Sequence, residues 1–324
     1  MRDIEFARSN RIVKELILVD GLPRTGKSML GPILSSFDRV EIERMEPILE
    51  SIPLLYSFEK ITKDAALALL CREIDMKLYD SMISRNTNFK ISDRTGVFSS
   101  LNFLKYFKRL FSKEGDIVLE RIEKERPIFL VQTHDILRRI DLYIDAYGDR
   151  LRVIEMVRHP VDLVYSLDDR GHGVGTGLNP RLWQLAIKSI DGDVLYYASG
   201  WVEEFLKISP IDRLIKIVDI FTKESLNKYE SLSESVKKQV LFIPFEKFAE
   251  SPNKYLELIS NLIRSEVTKK TTRSLKKQRV PRKIDVKDKE RKLKFIKKNT
   301  SSEYFQILNT LAGEYESRYL IGKR

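Results

Sequence analysis

The chain has 324 residues, 42% hydrophobic and 32% charged, with a formal net charge of +11; this is a globular balance, enough for one large α/β domain or a core with a small addition. A single cysteine, Cys71, excludes an internal disulfide, and with only three histidines beside it the composition argues against a structural zinc site. No apolar stretch reaches the roughly 18 residues of a membrane helix, so no membrane span is expected, and the opening MRDIEFARSNR lacks an apolar signal core, so a cytoplasmic location is expected.

The first strong pattern is residues 12–31, IVKELILVDGLPRTGKSMLG. An apolar run, Leu16–Val19, leads into Gly21-Leu22-Pro23-Arg24-Thr25-Gly26-Lys27-Ser28, and helix-spaced apolar residues follow at Met29, Leu30, Ile33 and Leu34. The loop matches G-x-x-x-x-G-K-[ST]. Glycines let backbone N–H groups turn inward, and the helix N-terminus adds partial positive charge, which together suit a phosphate or sulfate. A second strand is expected at Arg39–Ile42, and residues 44–88 read as helical, punctuated by Pro47 and Pro53. Cys71 falls in the apolar run ALALLC and is expected in the core. Further helices are expected near 98–112 and 115–125.

Pro127–Thr133 reads as a buried strand ending at His134, followed by a helix over Ile136–Tyr147. Leu151–Val157 is another strand, ending at Arg158-His159-Pro160, and Pro160 suits the first turn of a helix over Val161–Leu167. Alternating glycines at 171–177 predict a mobile loop. Helices are expected around 180–208, a last strand at Val240–Pro244, a helix near 252–264 and a terminal helix over about 301–319. Most of the positive charge lies in residues 268–298, with 15 Lys/Arg against 3 Asp/Glu, on a body close to neutral. Such a segment suits an anionic ligand or is simply a solvated helix face. Its one aromatic, Phe295, argues against a base-stacking surface, and no nucleic-acid partner is expected.

Short buried strands alternating with helices predict an α/β fold: a three-layer α/β/α arrangement with a central parallel sheet, P-loop nucleoside-triphosphate-hydrolase-like. The expected organisation is one domain over 1–324, with a helical insertion at about 44–125 and the basic segment at about 268–298. Functional residues should lie where strands end and helices begin, as Arg24, His134 and Arg158 do.

Three segments together resemble the sulfotransferases that use 3′-phosphoadenosine 5′-phosphosulfate (PAPS). Leu22-Pro23-Arg24-Thr25-Gly26-Lys27-Ser28 is similar to the family's 5′-phosphosulfate loop. Val153–Ser166, with an apolar strand, Arg158-His159-Pro160 and a serine eight residues after the arginine, looks like its 3′-phosphate site. Val240–Phe248 followed by Ser251-Pro252 resembles its strand, acidic turn and helix start. The resemblance covers about residues 12–264, with Tyr315–Leu320 as weaker support.

The resemblance implies in-line sulfuryl transfer from PAPS to a hydroxyl or amine of a small-molecule or glycan acceptor, with no metal. It implies donor contacts from Arg24, Thr25, Gly26, Lys27, Ser28, Arg158 and Ser166, and catalytic roles for Lys27 and Arg24. Val131-Gln132-Thr133-His134 resembles the segment that carries the family's general base, making His134 the first candidate. Gln132 replaces the family's lysine there, and Lys27 stands where the family usually has threonine, so Lys27 is expected to supply the missing charge. Other members use a carboxylate soon after the first helix, which keeps Glu41 and Glu43 as candidates. A late basic stretch commonly closes over the 3′-phosphate, and Arg279, Pro281 and Arg282 lie in a comparable region.

The alternative is a P-loop kinase using ATP, favoured by the full Lys27-Ser28 signature and by Asp93; Asp93-Arg94-Thr95-Gly96 resembles both a turn of other sulfotransferases whose basic residue contacts donor or acceptor and a thymidylate-kinase turn with the aspartate near the acceptor. Against it, the two best core strands run into Thr133-His134 and Arg158-His159 rather than the acidic residue that Mg²⁺ needs. A third possibility is a non-catalytic polyanion binder acting through 268–298.

Overall fold

The computed structural model describes residues 4–93, 96–174, 183–190 and 192–321. In chain order the elements are β1 (Glu15–Asp20), α1 (Lys27–Leu34), α2 (Pro47–Ser57), α3 (Lys63–Met82), α4 (Phe103–Arg109), α5 (Asp116–Glu125), β2 (Ile128–Gln132), α6 (Asp141–Tyr147), β3 (Leu151–Val157) and α7 (Pro160–Asp168). Then follow β4 (Ala186–Ile187), β5 (Val194–Leu195), α8 (Val202–Lys207), α9 (Pro210–Ser231), α10 (Glu234–Lys237), β6 (Val240–Pro244), α11 (Phe245–Glu250), α12 (Pro252–Ile263), α13 (Lys269–Lys277), α14 (Val286–Asn299) and α15 (Ser302–Tyr315).

The main sheet has the order β2-β1-β3-β6, with every pairing parallel. Its strands are apolar throughout because both faces are covered. Leu16, Leu18, Phe129, Val131, Leu151 and Val153 point to one face, where they meet residues of α2, α3, α5 and α6, Cys71 among them. Ile17, Val19, Ile128, Leu130, Ile154 and Met156 point to the other, where α1, α12 and Leu275 of α13 cover them. A third apolar cluster joins α7 to α9, α14 and α15. This is an α/β fold with a central parallel sheet flanked by helices.

From β1 the chain runs out to β2 on one side and then returns past β1 to β3 on the other. The loops that leave β1 and β3 therefore diverge, and the crevice between them is where ligands of open parallel sheets bind. The glycine loop lies there.

Several expectations change. Residues 39–42 make no full strand: Val40 and Arg44 form single parallel bridges to Ile128 and Val131 on the outer edge of β2. Among its described residues, the region expected to be helical around 180–208 holds the antiparallel pair β4–β5, a 3₁₀ turn at Tyr196–Ala198 and the short α8. The pattern missed α9, which has 22 residues; Ser209 caps it by accepting from the Asp212 N–H at 3.1 Å and Pro210 opens it. The glycine loop is described only as far as residue 174, as a 3₁₀ turn over His172–Val174; its remainder lies outside the described residues, as do Arg94 and Thr95. Among the described residues no helix is long and apolar enough to cross a membrane.

The segment after α1 is pinned by a buried charge cluster. The fully buried Glu41 accepts from Lys105 at 2.7 Å, from the Tyr106 hydroxyl at 2.8 Å and from both terminal nitrogens of Arg109 at 2.7 and 3.1 Å. Burial would raise its carboxyl pKa, but Lys105 and Arg109 outweigh this and hold it at about 2. Glu41 is thus a structural anion that ties α4 to the sheet edge, not a free base. Arg109→Met should destabilise the fold by about 3–5 kcal/mol in urea titration, because it removes the more buried of the two cations that neutralise a buried carboxylate and leaves only Lys105. The depressed carboxyl pKa adds stability that is present above about pH 4.5 and is lost as pH falls toward 2. Acid denaturation of the parent should therefore be steeper over that range than that of Arg109→Met.

Candidate functional site

The loop depends on two glycines. Gly21 has φ +120°, and a Cβ there would lie 2.2 Å from the Met156 carbonyl oxygen of β3. Gly26 has φ +106°, and a Cβ there would lie 2.5 Å from the Phe245 ring. Any larger residue would push the loop off β3 or off Phe245. Between them, the Thr25 hydroxyl donates to the Leu22 carbonyl at 2.8 Å. α1 starts directly after the loop, so its N-terminal partial charge lies at the loop. Ser28 is exposed on its first turn, whereas Lys27 is buried and its ammonium donates to the carbonyls of Gly21 and, at 2.8 Å, Leu22.

The second cationic centre comes from the end of β3. One terminal nitrogen of Arg158 donates to the Arg24 carbonyl at 2.9 Å, and Arg24 Nε donates to the Ser166 hydroxyl at 2.9 Å. The Arg158 guanidinium stands 4.8 Å from the Phe245 ring centroid and that of Arg282 stands 5.3 Å from it. Burial, then Arg158 and Arg279, push the Arg282 pKa down. The fold thus brings four separated pieces together: the loop, the β3–α7 corner, the start of α11 and the stretch after α13. Arg158 Nε is buried without a hydrogen-bond partner. Like charges gathered around one ring suit an anion that neutralises them.

The corner itself is braced by Glu246 of α11. It accepts from the His159 N–H at 3.0 Å and from the Tyr315 hydroxyl at 2.6 Å. His159 is 1% exposed, with Nε2 3.0 Å from Glu316, and it holds α15 and its extension against the corner rather than facing the crevice.

Below the loop lies a group of acids around Lys27. Asp20 is held by the Thr133 hydroxyl at 2.9 Å and the Leu137 N–H at 2.6 Å. Glu155 of β3 is buried, and desolvation followed by repulsion from Asp20 pushes its carboxyl pKa far up. Burial pushes the Lys27 pKa down, while Asp20 and Glu155 offset part of that effect. Glu43 lies against Gly31 of α1, where a Cβ would be 2.2 Å from its carboxyl group. One of its oxygens is buried without a partner, and burial raises its pKa to about 8 despite Lys27.

His134 follows β2, with Nδ1 2.8 Å from Glu50 Oε1 of α2. Burial, then Lys27, push the imidazole pKa down to about 3; burial, then Asp135, push the Glu50 pKa up to about 8. With its carboxyl protonated, Glu50 donates to Nδ1 and the imidazole hydrogen sits on Nε2. His134 can accept a proton at Nε2 only after Glu50 has lost its own. Burial, then Arg24 and His134, also lower the His172 pKa, which places that ring beside the same group.

Sequence reasoning missed Glu50, Glu155 and Phe245 as members of the site. Glu50 sits inside a helical pattern and Glu155 inside a strand, where each reads as an isolated polar position. Glu155 alone left a signal, as an acidic residue in an otherwise apolar run. Among the described residues no group of three or more His, Cys, Asp or Glu is arranged to hold a metal ion. Of the acids near the loop, Asp135 accepts from Arg138 at 2.9 Å, Arg139 at 2.8 Å and Tyr196 at 3.0 Å. Asp93 is described, but Arg94 and Thr95 of its turn are not.

No protein-family model matches the chain, and no curated protein matches it. Solved structures similar to it include a sulfotransferase domain from the curacin biosynthetic pathway, at 12% identity and TM-score 0.47, over 97% of this chain and 94% of that one. Another is a sulfotransferase domain from the Synechococcus PCC 7002 olefin synthase, at 12% identity and TM-score 0.44, over 99% and 94%. A third is sulfotransferase STF9 of Mycobacterium avium, at 13% and 0.43, over 97% and 78%. Likeness at this level assigns neither family nor activity, so the chemistry has to rest on the chain's own residues.

Because the chain has only three histidines, their titration can be followed one by one by NMR. The His134 ring should stay neutral to about pH 4. A midpoint near 6.5, the ordinary value for histidine, would show that the ring is not buried beside Lys27 as the fold places it.

Proposed function

We propose that the chain is a sulfotransferase that moves a sulfuryl group from PAPS to a hydroxyl or amine. One observation carries this reading: Arg158 and Ser166 are joined through Arg24 to the phosphate-type loop, beside Arg282 on the Phe245 face. A donor with a phosphate at both ends of its ribose needs two anion sites, whereas the triphosphate of ATP needs only the loop. The loop with Ser28 would take the 5′-phosphosulfate. Arg158, Ser166 and the Arg279–Arg282 stretch would take the 3′-phosphate, with planar guanidinium forks matched to its oxygens. Adenosine 3′,5′-bisphosphate is then the leaving group.

In the transfer, the acceptor oxygen or nitrogen attacks sulfur in line, the bond from sulfur to the bridging phosphate oxygen breaks, and the acceptor loses its proton. Lys27 turns from the Gly21 and Leu22 carbonyls toward the anion and, with Arg24, steadies charge growing on the bridging oxygen. The acceptor proton goes to His134 Nε2, with Glu50 ionised and accepting from Nδ1–H. Glu43, with a carboxyl pKa near 8 and no partner on one oxygen, is the second candidate for this role.

The kinase reading keeps one supporting observation, the complete Gly26-Lys27-Ser28 signature. The two readings separate on ligand binding. Adenosine 3′,5′-bisphosphate at saturation should raise the melting temperature clearly more than Mg²⁺-ATP at equal concentration, since stabilisation follows affinity. Arg158→Ala should remove most of that gain. A larger shift with Mg²⁺-ATP would overturn sulfuryl transfer. In turnover with PAPS, Lys27→Ala should lower kcat by about 100-fold or more, the range for losing one oxyanion-type donor, with bisphosphate binding retained.

The rate should rise with pH through about 8 as Glu50 ionises. Glu50→Gln should abolish that limb, while Glu43→Gln should leave it. The reverse pattern would transfer the proton-accepting role to Glu43.

A further inference from the structure

Outside the crevice, the largest unexplained feature is the outer face of α4. Glu41 pulls Lys105, Tyr106 and Arg109 inward, which turns Phe103, Leu104, Phe107, Lys108, Leu110 and Phe111 outward. Phe107 is 53% exposed, Leu104 59% and Phe111 79%. The ring of Phe107 meets that of Phe111 at 5.9 Å, and Phe98 meets Phe103 at 6.1 Å. Large monomer surfaces rarely leave so many neighbouring aromatics in water without a use.

A cationic rim borders this ridge. α13 lies beside it: Lys270 donates to Asn102 Oδ1 at 2.5 Å, just before α4, and Lys277 donates to the Ser99 carbonyl at 2.9 Å. Arg273 is exposed on the same helix, and Lys108 and Lys113 are exposed on the ridge itself. The acid nearest in sequence, Glu114, is paired with Arg85. Apolar rings that enter the headgroup layer, flanked by cations that meet its charge, are the chemistry of an interfacial anchor.

We infer that the α4 ridge and the α13 rim form a docking surface for an anionic membrane, which holds the chain on the bilayer face without a spanning helix. This holds whatever group the crevice transfers.

The test is co-sedimentation of the full chain with extruded vesicles of phosphatidylcholine alone or mixed with phosphatidylserine. Binding should occur with the mixed vesicles, weaken with added salt, and be weak or absent with phosphatidylcholine alone. Phe107→Ser/Phe111→Ser should reduce it by about tenfold or more, at the ~0.8 kcal/mol of each buried apolar carbon. Lys270→Ser/Arg273→Ser/Lys277→Ser should reduce it by about fivefold for each cation removed, at ~1 kcal/mol per charge. The substituted side chains are exposed, and unchanged melting temperatures would show that both variants fold. Absence of parent binding overturns the inference, and so does binding that the phenylalanine variant leaves intact. If light scattering instead finds a dimer that the phenylalanine variant dissolves, and vesicles bind nothing, the ridge is a contact between copies.

Discussion

The hydrogen bond from the Arg158 guanidinium to the Arg24 carbonyl joins two parts of the chain 134 residues apart, and the crevice is organised by it. It fixes the free end of the glycine loop against the end of β3, where the strand order reverses direction. Gly21 lets the backbone of the loop come that close to Met156, and Gly26 lets Phe245 lie on it. Phe245 in turn gives Arg158 and Arg282 a common apolar face. Each of these contacts requires the others, so the anion site belongs to the packing of four segments rather than to the loop alone.

Charge is distributed in two layers around this joint. Above it, Arg158 and Arg282 share the Phe245 face, which suits a ligand that brings its own negative charge. Beneath it, Lys27 sits among Asp20, Glu155, Glu50 and Asp135, and burial pushes the carboxyl pKa values of Glu155 and Glu50 up. Lys27 is held by the carbonyls of Gly21 and Leu22, which it can exchange for an incoming anion. The same burial sets the Glu50 carboxyl against His134 Nδ1, so a proton gained or lost by one is felt by the other.

The C-terminal third is integral to this arrangement. Ser274 donates to the Pro32 carbonyl of α1 at 2.9 Å, and Thr271 accepts from Ser36 at 3.0 Å. The basic segment is thereby seated on the helix that follows the loop. Its inner residues pack, its far end reaches the Phe245 face, and its outer cations border the α4 ridge. One stretch of like charge therefore meets two different surroundings, and the sequence, in which it reads as a uniform run, carries no sign of the division.

Much of the frame was legible in the sequence. The buried strands at 15–20, 128–132, 151–157 and 240–244 declare themselves as apolar runs because both faces of a parallel sheet are dry. The loop declares itself because glycines, a lysine and a serine at that spacing have few other uses, and Pro160 marks the start of α7. Period and composition are local properties, and the chain by itself determined what depended on them. The region around 186–195 failed for the same reason: two paired residues on each side are too few to show an alternation, and α9 beyond it passed unread. Only the tertiary structure decided which charges meet. It turned Glu41 into a buried tie, left Glu43 with an unpartnered oxygen, gave His134 the partner Glu50 from another helix, and set Arg282 beside Arg158. Proton affinity and anion binding depend on distance and desolvation between residues far apart in sequence, and those quantities exist only once the chain is folded.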